Sequence, residues 1–436
     1  MRVLIAPVEV AGIAQGLYEG FSEIGVDSQV CLSLAHPFKY SGNKKEPWVL
    51  RVWQFLGGWR SKLTRASLFQ KPFSVVLHNL WGFVVLFWAI FRFDSFIFLY
   101  ALTLTNTKIE LWLLRLLGRK IVFIYAGSDS RPPFMDGGFF AGAVSDPIPS
   151  VRSIFRLVRG VKSRVAAQEK YADFVVCSPA SAQYLTLPFV DWFLMGIPKS
   201  FASSGKNSDK SAGVVRILHA PSNSGVKGTA TIMETLERLR EKGHLIEVFL
   251  LENKSNSEVL EALQNCDFIV DQLYADTPLA ALAAEAAFFG KPAIVAGYFS
   301  EFVQSHVRKE NIPPSLFVMP CELEAAIEKL IVDRCFRCEL GLKAQNYVRT
   351  RWSPKHVALR YHQLLVGHEI PTDWWVDPYS IRYVDGNGLD RRRTAKLVRE
   401  LVNSYGSSAL MLADKPALQQ ALLSMANQAG CGDTGA

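Results

Sequence analysis

Three neighbouring stretches decide the fold: RILHAPSNSGVKGT at 216–229, EVFLLENKSNSEVLEALQNCDFIVDQL at 247–273, and AALAAEAAFFGKPAIVAG at 280–297. Short apolar runs alternate with helical patterns through all three, which is the signature of parallel βα units. The order reads strand, Lys-Gly loop, helix, strand, helix, strand, Glu-bearing helix, strand. The loop after strand 214–219 carries Ser222, Asn223, Gly225, Lys227 and Gly228 and opens a helix at Thr229. Backbone N–H groups at a helix start, joined by the Lys227 ammonium, suit a phosphate. Glu285, on a later helix of the same half, is a carboxylate able to accept both hydroxyls of a ribose. The pair points to a sugar-nucleotide site.

The same alternation runs outward from this segment. Strands are expected at 2–6, 29–34, 96–100, 120–125 and 174–177, and again at 214–219, 246–251, 268–272, 293–296 and 316–319. Their β-branched and aromatic content suits sheets buried on both faces. At 436 residues the chain is too long for one core. It divides into an N-terminal Rossmann-like domain (1–198), a polar linker KSFASSGKNSDKSAG (199–213), a C-terminal Rossmann-like domain (214–366) and an extension (367–436). The extension opens as an aromatic loop and ends in two amphipathic helices, so it reads as an appendage with a frayed end.

These residues resemble the C-terminal domain of retaining GT-B glycosyltransferases of family 4, of the kind found in bacterial surface-polysaccharide clusters. The resemblance implies an α/β GT-B fold, two Rossmann-like domains facing across a cleft. It also implies transfer of a sugar from a nucleotide-sugar donor to a glycan or lipid-linked acceptor, with retention, without metal or other cofactor. On that pattern Lys227 matches the diphosphate lysine, and Glu285 matches the second, ribose-binding glutamate of a Glu-x7-Glu pair. Thr277 stands where the first glutamate belongs, with Asp276 beside it, and serine or asparagine replaces the basic residue expected just before Lys227. In the first domain, Gly12 lies in the loop that borders the donor phosphate in this family. Gly127, Ser128, Asp129 and Arg131 match a His-Gly-Ser-Asp segment followed by arginine, with Ala126 at the histidine position. Lys227 and Asp129 are thus the candidate catalytic residues, and Gly127, Ser128, Asp129 and Arg131 the acceptor side. Asp129 either receives an acceptor hydroxyl or forms a structural turn with Arg131, and His219 either faces the cleft or packs the sheet. A non-catalytic GT-B-like protein that binds sugar nucleotide or scaffolds an assembly is the alternative, and a GT-B sugar-nucleotide epimerase a third reading.

The net charge of +8 is uneven. Residues 1–200 hold 22 Lys and Arg against 13 Asp and Glu, whereas 201–436 hold 26 against 27. An anionic partner for the first half follows, either phospholipid or a lipid-diphosphate acceptor. Nucleic acid is the competing reading, but no recognition-helix, finger or aromatic RNA-binding signature supports it, so none is expected as a partner. Within this half, 50–71 mixes Trp53, Phe55, Trp59 and Phe69 with Arg51, Arg60, Lys62, Arg65 and Lys71. It reads as a membrane-surface segment or as a solvated helix. FSVVLHNLWGFVVLFWAIF at 73–91 approaches a bilayer span in length but leads straight into a strand, so a buried or interfacial crossover helix is expected. Met1-Arg2 runs directly into a strand, and the seven cysteines are odd in number and scattered. A cytoplasmic protein, peripheral on the inner face of the cell membrane, is the expectation. Cys335 and Cys338 form a C-x-x-C in a charged helix, read as incidental thiols.

Overall fold

The computed structural model describes residues 1–34, 47–63, 70–140, 150–191, 213–307, 309–367 and 369–431. Two parallel sheets organise them. The first contains β1 (Arg2–Ala6), β2 (Asp27–Val30), β3 (Ser95–Leu99), β4 (Lys120–Ile124), β5 (Phe174–Cys177) and β6 (Phe189–Asp191). The second contains β7 (Val215–His219), β8 (Ile246–Leu250), β9 (Phe268–Gln272), β10 (Ala293–Ala296) and β11 (Leu316–Val318). A late strand, β12 (Trp375–Val376), returns to close the edge of the first sheet antiparallel to β6. The orders are β12-β6-β5-β4-β3-β1-β2 and β11-β10-β9-β7-β8. Strand order therefore reverses between β1 and β3 and between β7 and β9. In open α/β sheets, ligands bind at the carboxyl ends of the strands beside such a reversal.

Side-chain alternation builds the layers. In the first sheet Leu4, Phe96, Phe98 and Phe123 face α2 (Trp48–Lys62), α3 (Gln70–Ile90), α4 (Lys108–Leu116) and α5 (Val151–Tyr171), while Val3, Ile5 and Ile97 face α1 (Ile13–Glu23). The second domain adds α6 (Ser224–Lys227), α7 (Thr229–Glu241), α8 (Asn256–Asn265), α9 (Ala281–Phe288), α10 (Val303–His306), α11 (Leu323–Val332) and α12 (Arg334–Thr350). There α7 and α11 cover Ile217, Val270 and Ile294, and α8, α9 and α12 cover Leu218, Ile269 and Val295. The Ser-Pro signal at 353–354 starts α13 (Pro354–Val366): the Ser353 hydroxyl accepts from His356 N at 3.3 Å, and proline takes the first helical position. Helix α13 turns back onto α1, so one apolar cluster runs from the first domain into the second.

The extension departs from expectation. It is no appendage: β12 completes the first sheet, and α14 (Arg391–Tyr405) and α15 (Pro416–Cys431) join α5 in the largest core through Leu397, Val398, Leu401, Leu418 and Leu422. Between β12 and α14, residues 381–390 form a largely buried strap between the domains. The three-residue β6 and two-residue β12 are too short for a periodic signal and were not expected. Strand β2 begins two residues earlier than expected, at Asp27. The expected linker, at 199–212, and residues 64–69 of the basic aromatic segment lie outside the described residues.

Candidate functional site

The second-domain site grows from β7. Its last residue, His219, is fully buried, with Nδ1 2.7 Å from Val270 O and Nε2 2.9 Å from Thr229 Oγ1. Burial lowers its pKa. It ties the β7 end to β9 and α7, so of the two readings the sheet-packing one holds. Next comes the Lys-Gly segment, which is not an open loop. Asn223 caps α6 by accepting from Val226 N at 3.1 Å, Lys227 N donates to Asn223 O, and Gly228 N donates to Gly225 O. The expected convergence of free amides is therefore corrected: these N–H groups are used inside the turn. Gly228 reaches α7 at φ +70°, where a Cβ would lie 2.6 Å from Leu273 Cβ, a position that strongly favours glycine. Ser222 and Asn223 are exposed, and the Ser224 hydroxyl donates to Glu252.

Lys227 points its ammonium at the carboxyl end of β9. It donates to Gln272 Oε1 and lies 3.6 Å from the fully buried Asp271 carboxylate. This places the cation in the reversal crevice between β7 and β9, the position at which a doubly wound sheet receives an anion. Glu285 sits in the middle of α9, 8% exposed, and accepts from Asn256 Nδ2 at 3.0 Å. The capping box of α8, in which Ser255 and Glu258 bond reciprocally, fixes the helix start that presents Asn256. Burial, less the Asn256 bond, plus repulsion from Asp271 hold the Glu285 carboxyl up at about 7. Asp271 thus links the two predicted residues, one electrostatically and one by proximity. Sequence reasoning missed it, although an acid closing the apolar strand FIVDQ was the available signal.

The first domain answers differently from expectation. Gly12, at φ +79°, precedes α1. The amides of Ala14 and Gln15, however, donate to the Glu9 carboxylate at 3.1 and 3.0 Å. A carboxylate of the chain itself occupies the helix N-terminus that a phosphate was expected to approach. Burial pushes Glu9 up to about 7 despite those bonds.

After β4, Asp129 accepts from Ala126 N and Gly127 N through Oδ1, at 3.0 and 2.9 Å, and caps its own turn. Its Oδ2 is buried with no hydrogen-bond partner among the described residues. Burial raises it to about 6. The structural turn considered from sequence does form, with Ser130 N and Arg131 N both donating to Gly127 O, at 3.0 and 2.9 Å, but the Arg131 guanidinium does not pair with Asp129. Arg131, 1% exposed, instead pairs with Asp136 at 2.8 Å and with Asp276 of the second domain. Arg131 is therefore taken up by an interdomain ion cluster and is not presented to a ligand in this arrangement. Ser128 is half-buried in the same turn. Thr277 lines a small interdomain cavity with Asp276, Asp191, Asn311 and Trp352.

The strap at 381–390 joins both sides. Asn387 N donates to Met135 O at 3.0 Å and Gly137 N to Asn387 O at 2.8 Å, while Gly388 N donates to Tyr274 O at 2.9 Å. Gly388 lies against Val226, next to Lys227. Arg391 anchors the strap through two bonds to Asp385 at 2.6 and 2.9 Å and lies over the Tyr298 ring. Among the described residues, no group of three or more His, Cys, Asp or Glu could hold a metal ion.

No protein-family model matches the chain, and no curated protein sequence matches it. Solved structures do. A sucrose-phosphate synthase from Thermosynechococcus elongatus superposes with a TM-score of 0.51 at 15% identity, covering 84% of this chain and 98% of the other. The catalytic domain of starch synthase IV from Arabidopsis thaliana, bound to ADP and acarbose, gives 0.51 at 11% identity, covering 84% and 98%. With two doubly wound parallel sheets facing across a cleft and a helical C-terminal region, the chain has the GT-B fold of such glycosyltransferases.

Proposed function

We propose that this chain is a glycosyltransferase that moves a sugar from a nucleotide-sugar donor to a glycan or lipid-linked acceptor, with retention, in cell-surface polysaccharide synthesis in the cytoplasm. The observation that carries the reading is the placement of Lys227 in the β7/β9 crevice, with Asp271 between it and Glu285. The similar starch synthase domain holds ADP, which supports a nucleotide diphosphate as the ligand class. In this reading Lys227 meets the diphosphate and stabilises the charge that grows as the sugar leaves, in place of a metal ion. Asp271 holds the Lys227 side chain in position, and Glu285 receives the ribose hydroxyls. The departing phosphate oxygen takes the acceptor proton in a front-face displacement, so no protein nucleophile is needed. Asp129 Oδ2, buried and without a hydrogen-bond partner among the described residues, is the polar atom of the first domain most suited to an acceptor hydroxyl.

The strap favours a second reading, a GT-B-like protein that binds sugar nucleotide without turnover. It lies on Val226, and the Arg131–Asp276 pair further closes the domain boundary. Titration calorimetry with UDP-, GDP- and ADP-sugars, followed by product analysis with the ligand that binds, separates the two. Binding with release of free nucleotide in the presence of acceptor supports transfer. Binding without sugar release supports the second reading, and no binding by any donor removes both.

A further inference from the structure

Helix α3 has two unlike faces. Val85, Leu86, Ala89 and Ile90 are buried in the core of the first domain. The opposite stripe, Phe73, Val76, Leu80, Phe83, Phe87 and Phe91, is open to solvent, with Phe87 at 67% and Phe91 at 65%. No charged residue occurs between Lys71 and Arg92. The segments flanking helix α4 are tied to α3: Gly82 of α3 packs on Leu104 before α4, and Arg119 after α4 donates to Ile90 O at 2.9 Å. Helix α4 adds its own open stripe of Ile109, Trp112 and Leu116. A row of this length on a folded domain is a surface built for contact.

Charge identifies the partner. Residues 47–119 hold nine Lys and Arg but only two Asp and Glu. Of those acids, Glu110 is buried and bonded to Thr103 and Thr105, and Asp94 is paired with Arg119. Lys62, Arg92, Lys108 and Arg115 are exposed around the apolar stripes. Aromatic rings and cations at one level match the headgroup region of an anionic bilayer. A second copy of the chain fits poorly, because two such faces would oppose like charges around an apolar centre. By length and composition α3 could also cross a bilayer. Crossing would strip Val85, Leu86, Ala89 and Ile90 from the first sheet, so the helix lies in the interface.

We propose that the α3–α4 face docks the protein on an anionic phospholipid surface, with α3 parallel to the membrane plane. This relocates the membrane contact expected at 50–71, where Trp53 and Leu56 are buried and Phe55 is exposed. The proposal stands independently of sugar transfer. Flotation with phosphatidylcholine vesicles, with and without phosphatidylglycerol, tests it. The wild type is expected to float with anionic vesicles at low salt and at least about ten-fold less with neutral ones. Leu80→Glu with Phe87→Glu, both on the open stripe, is expected to lower flotation about ten-fold or more with unchanged circular dichroism. Arg92→Gln with Lys108→Gln is expected to lower it about five-fold per charge. Failure of the wild type to float, equal flotation with neutral vesicles, or full flotation of the glutamate variant overturns the proposal. A vesicle-free dimer that the glutamate variant dissociates also overturns it, assigning the face to self-association.

Discussion

Arg131 of the first domain is ion-paired with Asp276 of the second, and the same guanidinium holds Asp136. One buried cation thus serves two carboxylates from two domains. The arrangement is asymmetric when broken. Removing Asp276 leaves Arg131 with Asp136, whereas removing Arg131 leaves two acids without their cation. Arg131→Met is therefore expected to cost about 3 to 5 kcal/mol, and Asp276→Asn distinctly less. Urea unfolding of both variants measures it, and equal destabilisation would contradict the shared-cation geometry.

Lys227→Ala removes the crevice cation and leaves Asp271 buried alone. Donor affinity and turnover are expected to fall together, by roughly 2 to 4 kcal/mol in transition-state stabilisation. Because Asp271 then lacks its partner, some stability is lost as well. Lys227→Ala with Asp271→Asn is expected to restore stability and leave donor binding weak. Calorimetry and unfolding on both variants decide, and recovery of donor affinity in the double variant would sink the phosphate role.

The alternation of apolar runs made all five strands of the second sheet legible: β9 and β10 are fully buried between helical layers and must be apolar on both faces, and the edge strands β8 and β11, only partly buried, still keep mostly apolar runs. Lys227 and Glu285 were legible for a related reason: each is a charged residue set among small or apolar neighbours at a fixed place in a βα unit. What stayed hidden depends on distant sequence. Asp271 acquires meaning only beside Lys227, 44 positions earlier, and Arg131 only when the fold brings Asp276 to it. Glu9 was overlooked because nothing in APVEVAG says that its carboxylate turns back onto the α1 amides. The strap was invisible for the same reason, since its hydrogen bonds join residue 387 to 135 and 388 to 274.

Glu285 gives a pH signature. Its folded-state value of about 7 lies above the ordinary 4.5. The folded protein therefore keeps a proton that the unfolded chain has already lost between those values. Stability from this group is present below the lower value and declines as pH rises toward the upper one, by roughly 3 kcal/mol in all. Glu285→Gln keeps the Asn256 contact without a titrating group, so the decline is expected to flatten. Glu9 shifts in the same direction and leaves a residual slope. Urea unfolding across this range measures both, and an unchanged slope in Glu285→Gln would show that the carboxyl titrates normally. The same substitution is expected to weaken donor binding, because the amide is a poorer acceptor for the two ribose hydroxyls than the carboxylate.

The strap offers the sharpest test of access to the crevice. Gly388 has φ +65°, and a Cβ there would meet Val226 Cγ1 at 2.5 Å and Val226 O at 3.2 Å. Gly388→Leu combines left-handed backbone strain with a collision against the turn that carries Lys227. Helix α14 and its core contacts lie outside the clash, so release is expected to stay local, at a cost of about 1 to 3 kcal/mol. Hydrogen exchange at the Gly137, Asn387 and Gly388 amides, all bonded through the strap in the wild type, is expected to quicken about ten-fold or more. Because the strap rests on Val226, a donor diphosphate at Lys227 must displace or skirt it. Donor affinity is therefore expected to rise in Gly388→Leu, and added donor is expected to quicken the same amides in the wild type by the reciprocity of linked equilibria. Faster exchange with unchanged or weaker donor binding would mean that strap and donor do not compete, and that the strap serves only to hold the two domains together.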